Sequence, residues 1–256
     1  MTSLAAAAVS GDPDPFVVRA LVMHYRGTGR ADLFDVLGVA LARGLDRAVA
    51  EQDPGERAHW LITMADATAV SDDELVRETV RTLLATLAPP TAAGTIEACL
   101  RGAVAVGDSD RVAAAIDQLE RLVACAYEPG EGVVFDRNRG FVPADQVRTA
   151  SVLLTAYDIT GRVPYSMLAE ELMRTTSSDQ WAAADVAGAC DAARILCRLA
   201  ALNEDERYRA QAVTARNAGY RADVERLLER CGARRLDAPR DAATYGLALA
   251  QWLNLQ

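Results

Sequence analysis

Apolar residues recur at helical spacing along almost the whole chain, at i, i+3, i+4 and i+7, while β-branched runs are scarce. Ala, Leu, Arg and Glu, all good helix formers, dominate the periodic stretches. Read together with the breaker signals, the pattern predicts about twelve helices. Their spans are 15–27, 30–51, 56–68, 71–88, 92–107, 110–127, 145–160, 163–177, 184–202, 205–216, 219–232 and 240–254. The fourth is expected to open on a capping box, Ser71 to Glu74, in which the hydroxyl and the carboxylate each satisfy an orphan backbone amide.

The turns between these helices resemble one another. Ala105 to Val112, Asp158 to Tyr165 and Ala201 to Tyr208 align without gaps: an apolar second position, a polar turn, then an apolar residue that starts the next helix. Tyr25 to Leu33 is a looser fourth copy. A short polar turn between two amphipathic helices makes a helical hairpin, and its repetition gives either an open solenoid or a closed ring. The pattern breaks between Glu128 and Pro143, a stretch rich in Gly and Pro. Val133 to Phe135 and Phe141 to Val142, separated by Asp-Arg-Asn-Arg-Gly, predict a small β-hairpin there. Long loops of this kind often carry function.

Composition narrows the chemistry. The 256 residues are 51% hydrophobic and 5% aromatic, about fifty of them are alanine, and all 27 Lys-plus-Arg positions are Arg. Without Lys, Schiff-base chemistry and a phosphate-binding P-loop or kinase-type lysine are excluded. A formal charge of −9 argues against a nucleic-acid partner. No apolar run is long enough to span a bilayer, and the Ala-rich start, Met1 to Ser10, lacks the basic region of a secretory signal. A cytoplasmic protein with no membrane association is expected. Of the five cysteines none forms Cys-x-x-Cys, and His24 and His59 are far from any of them, so neither a metal site nor a cofactor is expected. Cys190 and Cys197 share one helical face and read as small core hydrophobes.

From about residue 130 to 254 the chain resembles the toroid domain of the six-hairpin glycosidase-like superfamily, most of all that of the bacterial YyaL-type proteins, which are fused to a thioredoxin-like part and are N-acylglucosamine 2-epimerase-like. The residues that carry this are Gly132 to Asp136, Asp145 to Met173, Ala192 to Leu202 and Ala243 to Leu253. The resemblance implies an all-α fold, an (α/α)6 toroid of six hairpins with inner and outer helices and a pocket where the inner-helix N-termini meet. On that basis residues 1–14 are a flexible segment and 15–256 one toroid domain. The epimerases' catalytic His pattern has no counterpart, and His24 and His59 fit no motif.

Sugar hydrolysis uses two carboxylates at a fixed separation. Under the toroid arrangement the candidates are Asp136 and Asp145 as the catalytic pair, with Asp185 and Asp241 also at helix starts. Arg137, Arg139, Arg148 and Tyr245 are candidate ligand contacts on the same rim, and Trp181, in a loop before an inner helix, is a candidate stacking ring. Each has a plainer reading beside it. An Asp at a helix start is what capping favours in any protein, and turns favour Asp as well. Trp60 and Trp252 read as core residues, and Asp191 as an i,i+3 partner of Arg194.

Three functions remain open from the sequence. One is a carbohydrate-related toroid, hydrolase-like or epimerase-like, taking a sugar or another small polar ligand at its mouth. The second is a non-catalytic toroid or helical-repeat scaffold that binds a protein or a small ligand, and the third an open helical-repeat solenoid.

Overall fold

The computed structural model describes residues 6–9, 11–87, 91–176, 180–181, 185–213, 219–234 and 236–255. Positions 88, 177, 184 and 214–216, which the periodicity assigned to helices, lie outside these, as do 1–5 and 10 of the N-terminal segment. Twelve α-helices of six residues or more occur among the described residues: α1 (Pro15–Thr28), α2 (Phe34–Ala50), α3 (Pro54–Ala67), α4 (Glu74–Thr86), α5 (Ala93–Val106), α6 (Ser109–Ala126), α7 (Pro143–Thr160), α8 (Val163–Thr175), α9 (Val186–Glu204), α10 (Glu206–Gln211), α11 (Tyr220–Gly232) and α12 (Pro239–Leu253). A 3-10 turn, Ala31–Leu33, precedes α2, and a two-stranded antiparallel hairpin, β1 (Tyr127–Glu128) with β2 (Gly132–Val133), separates α6 from α7. None of these helices is long and apolar enough to cross a membrane.

The chain forms two compact units, Met1–Gln118 with Leu236–Gly246, and Leu119–Arg235 with Leu247–Gln256. In the first, α3 packs between α1 and α5, while α2 and α4 cover them. Trp60, Leu61 and Met64 of α3 are fully buried, each removing apolar surface worth roughly 1.5–3 kcal/mol from water. Small residues let the helices approach: a Cβ on Gly102 would lie 2.7 Å from Leu61 Cδ1. One carboxylate ties three helices together. Asp66 of α3 accepts from Arg19 Nε of α1 at 2.7 Å and from an Arg101 guanidinium nitrogen of α5 at 3.2 Å. Arg101 also pairs with Glu97 at 3.0 Å. In the second unit α7 packs on α8, and α9 on α11. Cys190 and Cys197 are buried in α9, as their shared face predicts.

The resembling turns close by related means. Gly107 and Gly161 adopt left-handed φ of 72° and 67° at the ends of α5 and α7, where a side chain would be strained. The third turn has no glycine; there Asp205 caps α10, accepting from Arg207 N at 2.8 Å. Tyr165 and Tyr208 after the second and third turns are buried, as expected of residues that seat the next helix.

Two local expectations are corrected. The cap of α4 is Asp73, whose Oδ1 accepts from Leu75 N at 2.9 Å, and Ser71 Oγ accepts only from Asp73 N. A charged carboxylate is the stronger partner for helix-start amides, and Glu74 turns instead to Arg81 at 2.6 Å. The β-hairpin lies earlier than Val133–Phe135 with Phe141–Val142. Tyr127 pairs with Val133 and Glu128 with Gly132, because the buried Gln146 side chain fixes Val133 from α7. The Asp-Arg-Asn-Arg-Gly segment is a separate turn, and Val142 serves as the residue before α7.

Candidate functional site

The second unit holds most of the sequence-derived candidates. Asp136 is exposed and shapes its own loop: Oδ1 accepts from Asn138 N at 2.9 Å, and its carbonyl accepts from the Arg139 and Gly140 amides. Arg137, its side chain 89% exposed, stands 3.5 Å from Glu128. With Glu128, Glu131, Val134, Gly140 and Phe141 it lines a pocket of about 390 Å³. Arg139 is exposed on the same loop. Asp145 sits in the first turn of α7, where the helix N-terminus favours an anion, 3.7 Å from Arg148. Asp185 caps α9, accepting from Gly188 N at 2.7 Å. Trp181 is buried at 5% exposure, not presented on a rim, and its indole N–H has no hydrogen-bond partner.

A larger cleft of about 740 Å³ opens in the same unit along α8, lined by Pro164, Met167, Leu168, Glu171 and Arg174 and reaching Gly130. Tyr127 donates to Glu171 at 2.5 Å, and that carboxylate holds the phenol proton, pushing its pKa up to about 12. Behind it Glu170, 3% exposed, accepts from Tyr220 at 2.6 Å.

The first unit contains the cluster that sequence reasoning missed. Pro opens α1, α3 and α12, its fixed φ suiting the first helical position. Side chains from the starts of these helices converge on Arg240. Its guanidinium lies 2.7 Å from Glu56 and 3.8 Å from Asp14, and stacks 4.4 Å from the Phe16 ring centroid. His59 packs against Phe16 at 4.6 Å. Asp14 divides its carboxylate, one oxygen capping α1 through the Phe16 and Val17 amides and the other facing Arg240. Asp241 and Tyr245 follow in the first two turns of α12. All of these side chains are partly exposed. A planar cation, two carboxylates and two rings at helix N-termini can together hydrogen-bond hydroxyls and stack on an apolar face. The signal was present as Asp-Pro at Asp14 and Asp53, but the pairing of Arg240 with Glu56 spans 184 positions. No group of three or more His, Cys, Asp or Glu side chains suited to a metal ion occurs among the described residues.

No protein-family model matches this chain, and no curated protein matches it. Solved structures do. The GH76A α-1,6-mannanase from Salegentibacter sp. HEL1_6 is 12% identical with a TM-score of 0.69, the match covering 96% of this chain and 89% of that one. An inactive variant of the same mannanase with two aspartates replaced, in complex with α-1,6-mannotriose, matches with a TM-score of 0.68 at 12% identity over 96% and 89% of the chains. An unsaturated glucuronyl hydrolase mutant from Streptococcus agalactiae, complexed with dGlcA-GalNAc6S, matches at 10% identity with a TM-score of 0.70, over 93% and 79%. These likenesses show the fold, an all-α toroid.

Proposed function

We propose that this protein is a carbohydrate-active toroid that takes a small saccharide. The observation that carries the reading is the Arg240 cluster, where Glu56, Asp14 and Phe16 meet at helix starts in a fold shared with sugar-cleaving enzymes. In the first unit Arg240, Asp241 and Tyr245 contact sugar hydroxyls, and Phe16 offers the apolar face. In the second unit, taken by itself, Asp136 and Asp145 are the acid and base pair, and Arg137, Arg139, Arg148 and Asp185 are contacts for the polar or charged groups of a ligand. The proposal takes residues 15–256 as one functional domain in the cytoplasm. Its finer form is a YyaL-type, epimerase-like activity on an N-acylated amino sugar, supported by the motifs between 130 and 254.

A second reading, a non-catalytic toroid that binds a saccharide or a protein, is favoured by one observation. Asp136 is committed to its own turn and Asp145 faces Arg148. A screen of α-mannosides, unsaturated uronides and N-acylglucosamine against the wild type, Asp136→Asn and Asp145→Asn separates the two. Turnover that falls about 100-fold or more in either variant supports the catalytic pair. Turnover unchanged in both removes the pair, and saccharide binding without turnover leaves the scaffold.

A further inference from the structure

The residues of α8 fall on two stripes. Tyr165, Ser166, Ala169, Glu170, Leu172 and Met173 are buried. Pro164, Met167, Leu168, Glu171, Arg174 and Thr175, at helical spacing on the other side, line the cleft of about 740 Å³. The chemistry along this second stripe is ordered: an apolar wall first, then an acid, then a guanidinium one turn further on. Glu171 and Arg174 have the i,i+3 spacing that makes ion pairs elsewhere in the chain, as in Glu78 with Arg81 at 3.1 Å, Asp191 with Arg194 at 3.6 Å and Asp145 with Arg148 at 3.7 Å. These two do not pair. Tyr127 of β1 holds Glu171 Oε1 at 2.5 Å. Among the described residues neither Glu171 Oε2 nor the Arg174 guanidinium has a hydrogen-bond or ion-pair partner.

We propose that this cleft is a binding site for a free α-amino acid with an apolar side chain. Its carboxylate meets Arg174, its ammonium meets Glu171 Oε2, and its side chain lies along Met167, Leu168 and Pro164. The guanidinium fork suits a carboxylate in two parallel hydrogen bonds. Residues one turn apart stand about 5–6 Å between Cβ atoms, a span that the neighbouring ammonium and carboxylate of one amino acid can bridge. An anion alone would gain Arg174 but meet the Glu171 charge, and a cation alone would meet the reverse. Glu170 takes no part, since it is buried and accepts from Tyr220 at 2.6 Å and Asn203 at 3.3 Å. Tyr127 is a positioning residue: by holding Glu171 it keeps the two charges from neutralising each other. None of these residues belongs to the proposed saccharide contacts.

The test is calorimetry on the full chain with L-leucine as the probe. N-acetyl-leucine lacks the ammonium, leucinamide lacks the carboxylate and glycine lacks the side chain. Leucine should bind, and each of the three analogues should bind about tenfold or more weakly. Arg174→Gln should weaken leucine by a similar factor with Tm unchanged, because that side chain is exposed and makes no hydrogen bond or ion pair among the described residues. Tyr127→Phe removes no ligand contact but releases Glu171 to pair with Arg174, so it should weaken leucine as well. That second loss should vanish in the Arg174→Gln background, where the competing ion pair cannot form. No leucine binding, N-acetyl-leucine or leucinamide equal to leucine, full affinity in Arg174→Gln, or a Tyr127→Phe loss that persists in that background overturns the proposal.

Discussion

The Gln146 side-chain amide pairs with both backbone polar groups of Val133, Oε1 accepting from its N–H at 2.8 Å and Nε2 donating to its carbonyl at 2.7 Å. Gln146 is fully buried, so it acts as an extra strand partner supplied by a helix. Gln146→Ala leaves two buried groups unpaired, at about 1–3 kcal/mol each. The expected loss is about 2–5 kcal/mol, read from urea unfolding. Gly132→Ala should disturb the same lock, because at its φ of 88° a Cβ would come within 2.4 Å of Oε1.

Two glycines within helices should respond in opposite directions to alanine. Gly102→Ala drives a methyl against Leu61 Cδ1 and Leu84 Cδ2 and should cost about 1–3 kcal/mol. Gly38 of α2 is exposed with nothing near its Cβ position. Gly38→Ala should therefore stabilise by about 0.5–1 kcal/mol. Thermal melts of the two variants check both signs.

Glu51 links α2 to α3. Its Oε1 accepts from the Gln52 and Asp53 amides at 2.8 and 2.9 Å, and its other oxygen meets Arg47 at 2.8 Å. The Asp53 amide above all, then that of Gln52 and the Arg47 charge, hold its pKa below the ordinary value of 4.5. A depressed folded-state pKa gives stability that is present above 4.5 and lost as pH falls through the lowered value. The stability gap between wild type and Glu51→Gln should shrink between pH 5 and pH 3, the window implied by that lowered carboxylate. Urea midpoints across that range measure it; a gap that stays constant refutes the assignment.

Arg240→Lys keeps the charge and removes the fork that meets Glu56 and lies over Phe16. Saccharide affinity should fall about tenfold or more, measured by calorimetry, while the melting temperature moves little. Equal affinity in the two proteins would detach the cluster from ligand binding.

Helices were legible in the sequence because each buries one stripe, and a 3.6-residue period survives any tertiary arrangement. Their starts were less so: the periodicity places α3 at 56 and α7 at 145, while Pro54 and Pro143, two residues earlier in each case, open them. The hairpin was misplaced because Gln146 reads as an ordinary polar helix residue, and nothing local shows that it faces Val133. Asp241 was read as a candidate at the start of α12. Its neighbour Arg240 makes the contacts, through partners on α1 and α3 that no local pattern connects.

Asp66→Ala should be among the costlier substitutions, at about 3–5 kcal/mol, since it removes the carboxylate that meets the largely buried Arg19 and one of the two that meet Arg101. Equilibrium denaturation of the variant gives the value.

The same carboxylate has a consequence for how the first unit opens. Helices α1, α3 and α5 each contribute a charge to one shared contact, so releasing any one of them breaks a charged contact with another. Partial opening is thereby penalised. The slowest amides of these three helices should exchange with solvent in one concerted event, with a single denaturant dependence, and in Asp66→Ala that event should separate into independent ones.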